Sequence, residues 1–193
     1  MRSWDRLVGP LTALAVGCLL WSLLSFAASP PEADSLTVTT DPGGGVRATA
    51  QVFFSAKPEI IQTILTDYAH WPELFEVRMK VASLTMEHGV AMTDLRIEHA
   101  LLPGERRLVS ESRTLPSGGL MTDLKAGDFK RYHRVWKLNP VGDGSQTKAE
   151  FDLVVEIDSM VPDWLVAMAM RQELEAHFRI VKEKALARAK EGK

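Results

Sequence analysis

Residues 146–158 read QTKAEFDLVVEID and residues 162–191 read PDWLVAMAMRQELEAHFRIVKEKALARAKE; these two segments decide the fold. In the first, apolar residues from Ala149 to Ile157 occupy every second position, which predicts a strand with one buried and one wet face. In the second, apolar residues recur at three- and four-residue steps, which is typical of a long helix lying on a sheet. The stripe consists of Ala167, Met170, Leu174, Phe178, Val181 and Ala185. A sheet that is covered on one face by a C-terminal helix buries the apolar residues of both segments.

Upstream of this pair, alternating segments predict seven further strands, separated by turn signals. They are expected at 36–40, 46–54, 77–87, 90–101, 105–115, 119–126 and 130–139. Asp41-Pro42-Gly43-Gly44-Gly45 and Leu102-Pro103-Gly104 are two of the predicted turns. Two short helices should follow the second strand: one starts at Ser55-Ala56-Lys57-Pro58-Glu59, and the other runs from Trp71-Pro72 to Phe75.

The first 28 residues differ from the rest of the chain. Arg2 and Arg6 precede an apolar run from Leu7 to Leu24, and Ser25-Phe26-Ala27 offers the small residues that a signal peptidase recognises. The stretch from Leu7 to Ala28 is also long enough to span a bilayer. Residues 1–28 are therefore predicted to be a signal peptide or an N-terminal membrane anchor.

Both interpretations of the leader predict export, because the positive flank stays inside the cell. The product is then periplasmic or secreted, or is anchored with its domain outside the cytoplasm. A third interpretation is lipidation, since Ala15-Val16-Gly17-Cys18 loosely resembles a lipoprotein motif. Residues 29–35 are predicted to be a linker, and 36–191 the folded domain.

Composition excludes several classes of function. Cys18 is the only cysteine, so the predicted domain has no disulfide and no thiolate metal site. The net charge is −2, and no basic stripe is present, which argues against nucleic acid as a partner. Neither Gly-x-Ser-x-Gly nor His-Glu-x-x-His occurs, and the histidines are scattered. They are His70, His88, His99, His133 and His177. We therefore predict no metal, no cofactor and no catalytic residue.

Three parts of the sequence resemble the START-like (SRPBCC) superfamily, whose members share the helix-grip fold. These parts are Val46–Phe54 with the helix start that follows, Leu65-Thr66-Asp67-Tyr68 before Trp71-Pro72, and Trp136-Lys137-Leu138-Asn139-Pro140 before a Gly-rich turn. The polyketide cyclase and coenzyme Q-binding-like branch is the most similar. The resemblance implies an α+β fold in which a curved antiparallel sheet wraps around the long helix and encloses a cavity for an apolar molecule.

Two criteria select the predicted ligand-binding residues. One is which residues share a face of a strand, and the other is where the resemblance places the entrance of the cavity. Tyr132, Arg134 and Trp136 share one face of a strand, and Arg134 could bind the acidic or carbonyl head of a ligand. Alternatively, Arg134 pairs with Glu111 or stacks on Trp136 at the surface. The predicted ligand-binding residues are Trp71, Phe75, Leu95, Ile97, Tyr132, Arg134, Trp136, Phe151, Leu153, Trp164 and Met168.

These observations favour non-enzymatic binding or transport of a lipid, quinone or similar molecule outside the cytoplasmic membrane. The apolar start of the last helix faces either the cavity or a membrane surface. A cyclase or aromatase that uses Arg134, Tyr132 or Glu111 for proton transfer is the first alternative. The second is a surface interaction module whose cavity is closed.

Overall fold

One antiparallel sheet and one long helix dominate the computed structural model, which describes residues 33–191 apart from the side chains of residues 102 and 103. The strands are β1 (Ser35–Thr40), β2 (Val46–Phe54), β3 (Arg78–Glu87), β4 (Val90–His99), β5 (Leu102–Thr114), β6 (Gly119–Gly127), β7 (Phe129–Val141) and β8 (Gln146–Ile157). They lie side by side in the order β1-β2-β8-β7-β6-β5-β4-β3. The predicted leader lies outside the described residues, and its fate stays a prediction.

Helices follow the second and the last strand. They are α1 (Pro58–Leu65), a 3₁₀ helix (Tyr68–Leu74) and α2 (Asp163–Glu191). Pro58 opens α1, where a missing N–H costs nothing. None of the helices within residues 33–191 is long and apolar enough to cross a membrane. The predicted α+β fold, a curved antiparallel sheet around a long C-terminal helix, is confirmed.

Two local predictions need correction. The second short helix starts at Tyr68 rather than at Trp71, because the His70 N–H already donates to the Asp67 carbonyl (3.0 Å). The predicted turn at residues 102–104 belongs to β5: His99 pairs with Leu102, and the register shifts there. Gly104 has a φ of 76°, so the turn signal marks a β-bulge inside the strand rather than the end of the strand.

An aromatic cluster forms the core where β7, β8 and the second half of α2 meet. The rings of Trp136 and Phe151 lie 4.8 Å apart, and the ring of Phe178 lies 5.5 Å from that of Trp136. Leu138 and Val181 complete this buried cluster. The predicted inward face of β8 is buried from residue 149 to residue 155, as its alternation required.

Gly119 shows how closely β6 approaches β7. Its φ is 110°, and a Cβ atom built there would lie 2.0 Å from the Trp136 carbonyl oxygen. Only glycine fits this conformation and this approach. Gly119 therefore holds the start of β6 against the strand that carries Arg134 and Trp136.

Candidate functional site

A cavity of about 180 Å³ lies between the sheet and the first turns of α2. Its walls come from the 3₁₀ helix, from β3, β4, β5, β7 and β8, and from α2. The lining side chains are mostly apolar. They are Trp71, Phe75, Val77, Met79, Leu95, Ile97, His99, Leu101, Leu108, Phe129, Tyr132, Arg134, Leu153, Val155, Ile157, Val161, Val166, Ala169, Met170, Glu173 and Leu174.

The structure brings most of the predicted ligand-binding residues together at this cavity. Those on its wall are Trp71, Phe75, Leu95, Ile97, Tyr132, Arg134 and Leu153. Strand alternation explains why: residues two apart on β4 and β7 point to the same side of the sheet. Their position is observed, whereas their part in binding stays a prediction.

Four predicted residues lie away from the wall. Trp136 and Phe151 are fully buried in the aromatic core beyond the cavity, because Phe178 of α2 packs against both rings. Trp164 and Met168 lie on the outer side of α2, 65% and 59% exposed. The alternation of a strand predicts the face of the sheet on which a side chain lies. It does not predict which part of that face the helix covers.

Among the described residues of this wall, Arg134 is the only fully charged side chain that is buried almost completely, at 6% exposed. Its Cζ lies 4.5 Å from the centre of the Trp71 ring, a cation–π contact. Nη2 donates a long hydrogen bond of 3.4 Å to Thr122 Oγ1, and no partner for Nε occurs in the described part of the chain. No ion pair found within residues 33–191 includes Arg134, so this cation is buried without a counter-ion.

A row of hydroxyl groups continues from Arg134 across the sheet. Thr122 Oγ1 and Ser112 Oγ share a hydrogen bond of 2.9 Å, and Thr93 Oγ1 and Ser110 Oγ share another of the same length. All four side chains are buried. They are polar but neutral, so the row that reaches Arg134 through Thr122 does not cancel the charge of the guanidinium.

Glu111 faces away from the cavity. Its neighbours Ser110 and Ser112 are buried on the Arg134 side of β5, and alternation therefore turns Glu111 to the other side. There it binds Lys125 (Nζ–Oε2 2.6 Å) and Arg113, and these contacts lower its pKa. The prediction that Glu111 pairs with Arg134 or transfers protons in the cavity is wrong. Arg134 also stacks on Trp71 in the interior rather than on Trp136 at the surface.

His99 and Glu173 are cavity residues that the sequence did not single out. His99 ends β4, and Glu173 comes from the third turn of α2; Nε2 and Oε1 lie 3.8 Å apart. Burial raises the pKa of Glu173 above its ordinary value, and the nearby Glu76 adds to the shift. The sequence held one indication of this site: Glu173 is an acidic residue that directly precedes Leu174, a member of the apolar stripe of the helix.

His177 supports the cavity wall from behind. Its Nδ1 donates to the Leu74 carbonyl oxygen (2.8 Å), and its ring stacks on Phe75 at 4.3 Å between centroids. Burial, and the charge of Arg134, lower its pKa to about 3. The ring is therefore neutral at physiological pH and holds Phe75 flat against the cavity.

The described residues include no group of three or more His, Cys, Asp or Glu side chains that could hold a metal ion. Two other histidines lie outside the cavity and contact single carboxylates. His70 Nδ1 is 2.7 Å from Asp67, and His133 Nδ1 is 2.6 Å from Asp123. The polar groups that line the cavity are Arg134, which can only donate hydrogen bonds, and Tyr132, His99 and Glu173, which can form hydrogen bonds and exchange protons.

Fold and site together define a helix-grip protein of the START-like (SRPBCC) superfamily, with an apolar cavity that holds a few polar groups. The family model described as polyketide cyclase / dehydrase and lipid transport matches residues 54–177. The chain belongs to this family. No curated protein matches the chain.

Solved structures share the fold at low sequence identity. TTHA0849 from Thermus thermophilus superposes with a TM-score of 0.62 at 21% identity, covering 74% of this chain and 99% of the other. A STAR-related lipid transfer protein from Xanthomonas axonopodis gives 0.62 at 13% identity over 81% and 95%. The ZhuI aromatase/cyclase from a Streptomyces species gives 0.56 at 11% identity over 75% and 93%. The fold is therefore shared by proteins named for lipid transfer and for cyclisation.

Proposed function

We propose that this domain binds an apolar small molecule in the cavity and carries it outside the cytoplasmic membrane, without chemical conversion. The observation that carries the proposal is the guanidinium of Arg134, which is buried on a mostly apolar wall and has no ion-pair partner within residues 33–191. An unpaired buried charge costs several kcal/mol. A ligand that presents a carboxylate or carbonyl oxygen to Arg134 offsets that cost and is held in one orientation.

The cavity sets the size of the part that is enclosed. An apolar cavity of about 150 Å³ holds one benzene molecule, and the cavity here measures about 180 Å³. The enclosed part is then one ring or a short acyl segment, with any longer tail leaving through the mouth. Burial of apolar surface contributes roughly 25 cal/mol per Å² to the affinity.

A cyclase or aromatase is the second candidate, and a specific observation favours it. Arg134, Tyr132, His99 and Glu173 bring cationic, phenolic, imidazole and carboxyl groups to one cavity. Such groups can polarise a carbonyl and transfer protons. The family description also names cyclases and dehydrases. A carrier returns its ligand unchanged after long incubation, whereas a cyclase converts the ligand with loss of water.

A membrane surface is the partner that we propose for loading. Met160, Trp164 and Met168 are largely exposed, and they flank Val161 and Val166 of the cavity wall. Tryptophan and methionine side chains can enter the interface between lipid head groups and acyl chains. The predicted export supports the same view, because the cavity would then work at the outer side of the membrane that supplies the ligand.

Two measurements test the proposed function. Mass spectrometry of solvent extracts should find an apolar compound that co-purifies with the natively expressed protein. Calorimetry with octanoate should then give an affinity that falls about tenfold or more in Arg134→Met, because the charged hydrogen bond is lost. Arg113→Met is the matched control, since Arg113 binds Glu111 on the opposite face of the sheet. Empty extracts together with equal octanoate binding by wild type and Arg134→Met would overturn the proposal.

A further inference from the structure

The cavity has a second polar point, on α2 and at the end of β4. His99 Nε2 and Glu173 Oε1 lie 3.8 Å apart, which is too long for a direct hydrogen bond. Both side chains line the cavity. The two groups therefore face each other across a gap that neither closes.

The hydrogen-bond roles of the two groups can be assigned from their neighbours. The Leu101 backbone N–H donates to His99 Nδ1 (3.0 Å), so the proton of the neutral ring lies on Nε2, which faces Glu173. Glu173 Oε2 is buried, and no hydrogen-bond partner for it occurs in the described part of the chain. The gap thus lies between one donor, His99 Nε2–H, and the carboxylate of Glu173, whose second oxygen, Oε2, is the unsatisfied one.

We propose that this gap receives a hydroxyl group of the bound molecule. The hydroxyl oxygen accepts the Nε2–H of His99, and its hydrogen is donated to the carboxylate of Glu173. Because the two atoms are 3.8 Å apart, a hydroxyl oxygen placed beside the pair, on its cavity side, can lie about 2.8 Å from each of them. The inference rests on the proposed function and sharpens it: besides the carboxylate or carbonyl oxygen that meets Arg134, the ligand carries an alcohol or phenol hydroxyl group.

The surroundings of Glu173 fit a neutral hydroxyl better than a cationic group. Burial and the nearby Glu76 raise the pKa of Glu173, whereas His99 and the Val77 backbone lower it. A hydroxyl can donate to the ionised carboxylate and accept from the protonated carboxyl, so it satisfies both forms. An ammonium group satisfies only the ionised form, and it has no acceptor for the Nε2–H of His99.

A matched pair of probes isolates the hydroxyl group. 4-Ethylphenol and 4-ethyltoluene have nearly the same shape, and neither carries a charge for Arg134. Isothermal titration calorimetry should show that the wild-type protein, freed of bound lipid, binds the phenol about tenfold more tightly. This ratio should fall to about one in Glu173→Leu and in His99→Phe. Glu175→Leu should keep the full ratio, because Glu175 is exposed on the same helix.

The outcomes separate this inference from the proposed function. If both probes bind and the ratio is the same in wild type and Glu173→Leu, water alone fills the gap, and the inference fails while ligand binding stands. If neither probe binds although octanoate does, the inference fails and the proposed function stands; if octanoate does not bind either and the extracts are empty, both fail. Glu173→Gln guards against misfolding: the amide can still exchange hydrogen bonds with a hydroxyl, so it should keep part of the preference.

Discussion

The two halves of the interface between α2 and the sheet are built differently. In the second half, Phe178 and Val181 pack against Trp136 and Phe151, and the rings leave no space. In the first half, α2 presents Val166, Ala169 and Met170 to the sheet, and the cavity opens beneath them. Trp164, the only aromatic residue in this half, lies on the outer side. The cavity therefore exists because no aromatic side chain of the helix reaches inward there.

We call these parts the sealed half and the open half, and substitutions on the same helix should separate them. Phe178→Ala removes a buried ring from the sealed half and should lower the free energy of unfolding by about 3–5 kcal/mol. Met170→Ala in the open half should cost only about 1 kcal/mol, because this side chain already borders a void. Urea unfolding measures both values. Equal losses would mean that the open half closes in solution.

The pH dependence of stability should come from the sealed half. The pKa of His177 falls from an unfolded value near 6.5 to about 3 in the folded protein, because the ring is buried. Its stabilising contribution is thus fully present above about pH 6.5 and is lost as the pH falls toward 3. Between pH 6.5 and 5 the loss should reach about 1.5 kcal/mol.

Comparison with His177→Phe isolates this effect, because the exposed His70 and the carboxylates titrate in both proteins. Urea unfolding at several pH values should show a smaller acid loss in the variant. Parallel curves for the two proteins would contradict the assignment. In the open half Glu173 acts with the opposite sign: burial raises its pKa, so its contribution is present at low pH and is lost as the pH rises through the raised value.

The buried charge of Arg134 should destabilise the folded protein relative to a variant with an apolar side chain at this position. Arg134→Met removes a buried cation without a counter-ion and should raise the free energy of unfolding of the ligand-free protein by about 1–2 kcal/mol. Arg113→Met, on the exposed face, should change it by less than about 0.5 kcal/mol. A clear loss of stability in Arg134→Met would show that the contacts with Trp71 and Thr122 outweigh the cost of burial.

The smallest change in stability is expected on the outer side of the open half. Trp164→Ser and Met168→Ser remove exposed side chains and should shift the free energy of unfolding by less than about 0.5 kcal/mol. Both should nevertheless weaken binding to phosphatidylcholine vesicles, measured by co-sedimentation. Leu186→Ser is the control, since Leu186 is exposed near the other end of α2. Equal vesicle binding by all three variants and wild type would exclude this surface as the membrane contact.

Prediction from sequence succeeded where the signal is local. Alternation on β8 gave the buried face of that strand, and three- and four-residue spacing gave Leu174, Phe178, Val181 and Ala185 as the buried stripe of α2. It failed at the bulge near Gly104, because a glycine with positive φ serves a bulge as well as a turn. It also missed His99 and Glu173, which lie 74 residues apart in the chain and meet only across the cavity.

The sequence by itself determined the order of the elements and the face of the sheet on which Tyr132, Arg134 and Trp136 lie. Apolar residues recur every two positions in a strand and about every 3.6 positions in a helix, so both patterns can be recognised without a structure. Only the tertiary structure decided that Arg134 borders a cavity while Trp136, two residues further on, is sealed in the core. That difference depends on where α2 carries Phe178 and where it carries Ala169. Packing across the interface, rather than any local pattern, sets the position of the cavity.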